Sequence, residues 1–294
     1  MTPNYTTLFD KTYLYKGMAL IDSIRLTNQR HRIHVLALDA ETYAALRPQW
    51  WEGSVTSLAD VADAELQDAR RTRTHQEFCW LLMSWWLSRC VQDAKHDSVT
   101  SALDADSFFF SDPQPVFDEI GEASIALVPH RIVPERAADF TENGFYNANF
   151  VYVRHNAMGR QFAEEWRDLC LEWCYYKTED GKFADQGHLD TLAKKFRVFD
   201  IQHPGLNLAP WSAGQYAYSI ESGDGRGYKG KALKTLPPRV FVDGQELILY
   251  HFHELLHDER GAITQKTHWD VPPLVEQYVY GRYEQQLKLI GEIE

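Results

Sequence analysis

The stretch Leu103-Asp104-Ala105-Asp106-Ser107-Phe108-Phe109-Phe110 offers the sharpest chemistry in the sequence. Carboxylates at i and i+2 on an extended backbone point to the same side. Hard divalent cations such as Mg²⁺ or Mn²⁺ take such oxygen ligands and complete their shell with phosphate oxygens and waters. The apolar run behind the pair anchors it at a strand end, where α/β sheets present their ligands. An aspartate pair in a solvated turn would do none of this, so the surroundings have to decide.

The elements around the pair read as α/β. Tyr5–Phe9 forms a strand, Lys16–Asn28 a helix with Met18, Leu20, Ile21 and Ile24 at helical spacing, and Arg32–Leu38 a second strand. Strand, helix, strand at the start is a βαβ unit, hence a parallel sheet with a right-handed crossover. Glu41–Leu46 is a short helix, and Ser54–Asp68 is acidic and partly helical. Phe78–Leu87 is apolar nearly all round, the mark of a helix buried on most sides. Val99–Leu103 is a polar strand leading into the aspartates; Ile125–Val128, Phe150–Val153 and Phe196–Ile201 are further strands. Phe162, Trp166, Leu169, Cys170 and Trp173 make one helical stripe. Arg239–Val242 and Leu247–Tyr250 flank Asp243-Gly244 as a hairpin. Leu255–His268 reads as a polar, mobile segment and Pro272–Ile293 as a C-terminal helix carrying Leu274, Val275, Tyr278, Val279 and Tyr283 on one side.

Composition narrows the function classes. A formal charge of -12 lacks the basic face that phosphate neutralisation on nucleic acid needs, so no nucleic-acid partner is expected. An acidic chain that binds an anionic diphosphate needs a metal ion between them. The four Cys show neither a CxxC nor a secreted pairing pattern. Cys170 and Cys174, one helical turn apart among apolar neighbours, fit buried thiols better than a zinc site. Met1–Asp10 lacks a basic and apolar leader, and no run reaches the length of a membrane span. The expectation is a cytoplasmic protein, at most peripheral at the inner membrane and not integral to it.

The aspartate triplet and its setting resemble the D-x-D of nucleotide-sugar transferases of the GT-A fold. The resemblance covers most of the chain, and is nearest to a group of bacterial nucleotide-diphospho-sugar transferases. Glycogenin-like and lipopolysaccharide galactosyltransferase-like enzymes are more distant. It is carried, in order, by Leu8-Phe9-Asp10 with Tyr13 and the helix Ala19–Ile24, then by Glu77 and Trp80, then by Asp104-Ala105-Asp106 with Phe110-Ser111-Asp112-Pro113. Pro129-His130-Arg131, Gly144–Asn149, Glu179–Gln186, Gly205–Trp211 and Tyr250-His251-Phe252-His253 follow. Any one block is weak, but the ordered series is strong.

What the resemblance implies can be set out residue by residue. The fold is a Rossmann-like mixed sheet flanked by helices, with a small C-terminal β-hairpin and helix, in a single domain over residues 1–294. Residues 1–110 form the nucleotide half ending in the D-x-D, 111–270 the sugar and acceptor half, and 271–294 the C-terminal helix. Leu8, Phe9, Asp10 and Tyr13 would line the base pocket. Asp104, beside Ala105, would meet ribose and metal, Asp106 the metal, and His251 would complete the ligand set, with His253 as the fallback. A nitrogen ligand favours Mn²⁺ over Mg²⁺. Asn147 and Asn149 would present amides to the sugar, and Asp185 and Gln186 would face sugar and acceptor, where a carboxylate can stabilise positive charge at the anomeric carbon. Asp185 also suits an N-cap for a helix Gln186–Lys194.

The implied reaction transfers a sugar from a nucleotide-diphosphate donor, a UDP-sugar, to a hydroxyl of a glycan, lipid-linked or protein acceptor in bacterial glycoconjugate synthesis. It would proceed with retention, and Leu255–His268 would close as a lid. The sequence departs from the glycogenin-like pattern where a lysine should meet the diphosphate: His253-Glu254-Leu255-Leu256-His257 has none, leaving Arg73, Arg260 or Lys266 to supply the cation. A haloacid-dehalogenase phosphohydrolase also uses D-x-D, but after its first strand and with Thr where Phe108 stands here. A non-catalytic carbohydrate or nucleotide-sugar binding module on the same fold is the remaining alternative. Acceptor choice would rest on loops including Ala213–Lys234.

Overall fold

A computed structural model describes residues 2–28, 30–48, 51–93, 98–222 and 237–292. Strand β1 (Pro3–Phe9) enters helix α1 (Leu14–Thr27) through a 3-10 turn, and β2 (Arg32–Ala37), α2 (Ala40–Leu46) and β3 (Gly53–Ser57) follow. Helices α3 (Leu58–Val61), α4 (Ala64–Thr72) and α5 (His75–Asp93) lead to β4 (Val99–Ala102), β5 (Ser107–Phe109), α6 (Gln114–Ile120) and β6 (Ile125–Pro129). Then come β7 (Tyr146–Arg154), α7 (Ala157–Glu172), α8 (Gly187–Lys195), β8 (Phe199–Asp200) and α9 (Pro210–Ala213). The last part holds β9 (Tyr218–Glu221), β10 (Arg239–Val242), β11 (Gln245–Glu246), β12 (Leu249–His251), β13 (Leu256–His257), β14 (Ile263–Gln265) and α10 (Gly281–Gly291).

Seven strands form one mixed sheet in the order β3-β2-β1-β4-β7-β6-β8. β1 pairs in parallel with both β2 and β4, while β7 runs antiparallel to β4 and β6. The order reverses at β1, so the crevice beyond the carboxyl ends of β1 and β4 is where such a sheet binds ligands. Asp10 follows β1 and the Asp104–Asp106 turn follows β4. A separate pair, β5 with β12, is antiparallel and sets His251 opposite Ser107.

Apolar layers cover both faces of the sheet. On one side α5 contributes Leu81, Leu82, Trp85, Trp86 and Leu87, all buried, between β1 and β4 beneath it and α7 above. On the other, Leu20, Ile21 and Ile24 of α1 pack with Tyr5 and Phe109. α10 closes a third cluster in which Tyr283 stacks on Phe252 at 3.8 Å. Helix starts are fixed by side chains: Asp39 and Asn156 accept from Thr42 N and Gly159 N, and Thr74 with Glu77 forms a reciprocal capping box at the start of α5.

The expected mixed sheet, helical layers and C-terminal hairpin and helix are present, with local differences. Ser54–Asp68 opens with β3 before turning helical, because its edge position lets polar Thr and Ser pair with β2. The hairpin joins β10 to β11, with Asp243 and Gly244 at φ 48° and 78° as the two-residue turn requires. Leu249–His251 then leaves it for β5, so the second hairpin arm expected at Leu247–Tyr250 serves the site instead. The strand expected over Phe196–Ile201 is only Phe199–Asp200. Leu255–His268 contains the β13–β14 hairpin, anchored where Tyr15 donates to the Glu259 carbonyl and stacks on His257. The C-terminal helix opens with a π-helical turn, Val275–Tyr280, which buries Val275, Val279 and Tyr280 and leaves Leu274 and Tyr278 half-buried. Residues 223–234 of the loop expected to govern acceptor choice lie outside the described residues, as does Ile293.

Candidate active site

Asp104, Ala105 and Asp106 do not lie on an extended strand. They form a tight turn between β4 and β5, closed by Ser107 N–H donating to the Asp104 carbonyl at 3.1 Å. The two carboxylates therefore meet because the backbone reverses, not because side chains alternate. Phe252 N–H donates to the Asp106 carbonyl at 2.8 Å, extending the β5–β12 pairing and drawing His251 onto the turn.

His251 Nε2 lies 3.1 Å from Asp106 Oδ1 and 3.6 Å from Asp104 Oδ2. One ligand atom from each of the three residues lies within 4.8 Å of the others. Asp106 and His251 are buried, whereas the Asp104 side chain is a third exposed toward the cleft. Burial disfavours a charged imidazole, but Asp106 and Asp104 outweigh it and raise His251. Burial likewise pushes Asp106 up, yet the charge and hydrogen bond of His251, with help from Lys16, hold it below the ordinary carboxylate range. Asp104 is raised, by burial first and by Asp106 as well. Two carboxylate oxygens and an imidazole nitrogen crowded on one point are a ligand set that could hold a divalent cation.

The turn rests on a bulge in β7. Ala126 pairs with Tyr152 and Val128 with Asn147, so the residues between bulge outward, with Phe150 at φ 64°. Asn149 thereby sits under the turn: its Oδ1 accepts from Asp104 N–H at 2.9 Å, and its Nδ2 donates to Ser107 Oγ and Asn207 Oδ1 at 2.8 and 2.7 Å. Asn149 is fully buried and its amide is used within the protein, holding the Asp104–Asp106 turn. Asn207 ties Asn149 to Asn147, donating to Asn147 Oδ1 at 3.0 Å. Asn147 Nδ2 in turn donates to His130 Nε2 at 3.2 Å, beside Trp211.

The remaining expected positions divide. Tyr13 is 41% exposed and feels Asp106 first, then burial and Asp104, which together raise its phenol, so it belongs to the cleft. Asp10 is there too, with Oδ2 on His75 Nε2 at 2.8 Å and Oδ1 taking Thr12 N–H. Asp185 is buried; burial and the charge of Asp104 push its carboxyl up to about 8. It is not the helix cap, because α8 begins at Gly187 with Gln186 as its N-cap. Gln186 donates to the Asn143 carbonyl at 2.8 Å. The side chains of Leu8, Phe9 and Ala105 are core: Leu8 is in one apolar layer, Phe9 and Ala105 in the other. A side chain flanking a buried strand end is taken by the packing layers before a ligand can claim it. His253 is half exposed, edge-on to Trp211 at 5.4 Å, and outside the three-ligand cluster.

The three candidate cations have these surroundings. Arg73 donates to the carbonyls of Cys170 and Leu171 at the end of α7, Lys266 pairs with Glu276, and Arg260 is exposed at the β13–β14 tip. A cation that sequence patterns did not single out, Lys16, lies on the buried face of α1 and is drawn toward Asp106. Its signal was present, since 16, 20 and 24 share one helical stripe. His130 and Asn207 stand in the ordered blocks that carry the resemblance, but no role followed for them, because no spacing rule links them to the aspartates.

No family model matches the chain. Among curated proteins it is 30% identical over 289 residues to the uncharacterized protein YfnF of Bacillus subtilis strain 168, covering 95% of this chain and 91% of that one. YfnD of the same organism is 28% identical, with 85% and 77% covered. Among solved structures, the galactosyltransferase LgtC in complex with donor and acceptor sugar analogs aligns with a TM-score of 0.56 at 13% identity, over 97% of this chain and 95% of that one. The glycosyltransferase GlyE of Streptococcus pneumoniae TIGR4 aligns at 0.54 and 16% identity; this chain is 99% covered but spans only 62% of GlyE. These likenesses make the fold GT-A. Among the described residues, no helix is long and apolar enough to cross a membrane.

Proposed function

From a chain that belongs to the family of Bacillus subtilis YfnF and has the GT-A fold, we infer a metal-dependent glycosyltransferase that uses a nucleotide-diphosphate sugar. The observation that carries the reading is the meeting of Asp104, Asp106 and His251 at the carboxyl ends of β1 and β4. The donor is a UDP-sugar, the cation Mn²⁺, and the acceptor a hydroxyl on a glycan, lipid-linked or protein substrate in the bacterial cytoplasm. When bound, the cation supplies neutralisation of the charge that develops on the departing diphosphate.

The chain's own residues do the rest. Tyr13 and Asp10 hold the base, and the Asn149–Asn207 network keeps the metal turn rigid. Asn147 and Gln186 orient the sugar. Asp185 stands where positive charge gathers at the anomeric carbon; one of the two causes that raise it falls away once Asp104 is cation-bound. The acceptor oxygen bonds to the anomeric carbon as the bond to the diphosphate breaks, with retention, and the hydroxyl proton passes to the departing phosphate oxygen.

Slow hydrolysis of UDP-sugars with added Mn²⁺ tests this. Asp106→Ala should abolish it while circular dichroism stays unchanged, a loss of at least roughly 100-fold. Undiminished hydrolysis in that variant refutes the metal site. Nucleotide binding without turnover in the wild type would mean a binding module.

A further inference from the structure

Lys16 is the one lysine or arginine among the described residues whose residue is buried, at 3% exposure. A buried ammonium is expensive unless something answers its charge. Its Nζ donates to the Leu255 carbonyl at 2.6 Å and lies 4.1 Å from the centre of the Tyr13 ring. Its attraction is to Asp106, but that carboxylate already holds His251. Lys16 is also the third residue of α1, at the positive end of the helix dipole, where a cation is disfavoured and an anion favoured. Burial and the helix dipole argue against a lysine here, and the Leu255 carbonyl, the Tyr13 ring and a shared Asp106 answer its charge only in part.

The position becomes intelligible with a diphosphate in the cleft. Asp104 and Asp106 balance a divalent cation, and the phosphates of the donor bring further negative charge into an already acidic protein. The segment His253–His257 offers no lysine for it. The Leu255 carbonyl that receives Lys16 belongs to that same segment. A cation absent from the loop thus arrives from α1, braced by the backbone of that loop and by the ring of Tyr13.

Building on the glycosyltransferase reading, we propose that Lys16 is the diphosphate-binding cation of this site, presented from the first turn of α1. It contacts the phosphates of the donor and stays on the departing nucleoside diphosphate, while Tyr13 and Leu255 fix its position.

Calorimetric titration of UDP, GDP, ADP and CDP with Mn²⁺, alongside the corresponding monophosphates and nucleosides, tests it. Lys16→Gln keeps a donor for the Leu255 carbonyl but removes the charge. It should weaken the preferred diphosphate by roughly 10- to 100-fold, leave the nucleoside unchanged, and flatten the salt dependence of diphosphate binding. Lys16→Arg should recover most of the affinity. Equal loss for nucleoside and diphosphate would mean a purely structural lysine, and unchanged diphosphate affinity would overturn the assignment while leaving the enzyme reading intact. A wild type that binds none of the diphosphates overturns both. If Lys16→Gln does not fold, Lys16→Arg with Lys16→Met decides between the same outcomes.

Discussion

Asn149 is the sharpest place to test what holds the Asp104–Asp106 turn. Its amide spans three buried or half-buried groups: Asp104 N–H, Ser107 Oγ and Asn207 Oδ1. In Asn149→Ala the Asn207 oxygen loses its donor inside the protein, which costs about 1–3 kcal/mol, and the two other lost bonds add about 0.5–1.5 kcal/mol each. Water reaching Asp104 N–H trims the total, so about 3 kcal/mol is expected. Asn149→Asp is more telling. The new oxygen still accepts from Asp104 N–H, and Ser107 can turn its hydroxyl to donate, but Asn207 Oδ1 would face an oxygen unless the carboxyl is protonated and donates to it. Flipping Asn207 to compensate would break its bond to Asn147. The introduced carboxyl, buried beside Asp104 and Asp106, must keep its proton in the folded state, so its folded pKa is raised. A raised carboxyl pKa contributes stability below the unfolded value and loses it as pH rises, by up to about 1.4 kcal/mol per unit. Urea melts of both variants and the wild type at pH 5 and pH 8 read this directly. An alanine variant within about 0.5 kcal/mol of wild type, or an aspartate variant whose penalty does not grow with pH, refutes the network.

Two further perturbations concern the frame. Glu77 is buried, and although burial alone would raise its carboxyl, hydrogen bonds from Tyr176 and Thr74 hold it below the ordinary value. Such a depressed group stabilises above its unfolded pKa and loses that stability as pH falls through the folded one. Glu77→Gln should therefore cost about 1–2 kcal/mol at pH 7 and progressively less below about pH 4.5, read by thermal melts across that range. A Cβ on Gly17 would lie 2.3 Å from the Phe9 ring, so Gly17→Ala should destabilise by about 1–3 kcal/mol in urea and weaken nucleotide binding by displacing the end of β1; an unshifted midpoint would contradict that packing.

The sequence carried the parts of the site that have local signatures. The aspartates and His251 sit in motifs with characteristic neighbours, and the structure brings the three together. The route differed: alternation along a strand was the expected reason for convergence, whereas a turn and the β5–β12 pairing produce it. Long apolar elements such as α5 were legible because burial writes itself into periodicity. Two-residue strands and the departure of Leu249–His251 from the hairpin were not, because pairing partners are chosen by tertiary contacts rather than by the strand's own residues. Leu8 and Phe9 mark the same boundary, since residues at a strand end near a cleft can face either layer. Lys16 was passed over because a lysine on an otherwise buried stripe looks like an interruption until its surroundings are known.

Those surroundings explain why the site is built from so many distant segments. A cation-binding turn made only of Asp104 and Asp106 would repel itself and splay in the absence of metal. Here His251 from β12 bridges the two carboxylates, Asn149 from the β7 bulge fixes the turn's backbone, and Lys16 from α1 adds positive potential at Asp106. None of these can act until β1, β4, β7 and β12 are all in place, so the geometry exists only in the completed fold. That arrangement fixes the three side chains without any ion present and leaves Asp104 the most exposed of them, which is the order the proposed cation and diphosphate would require.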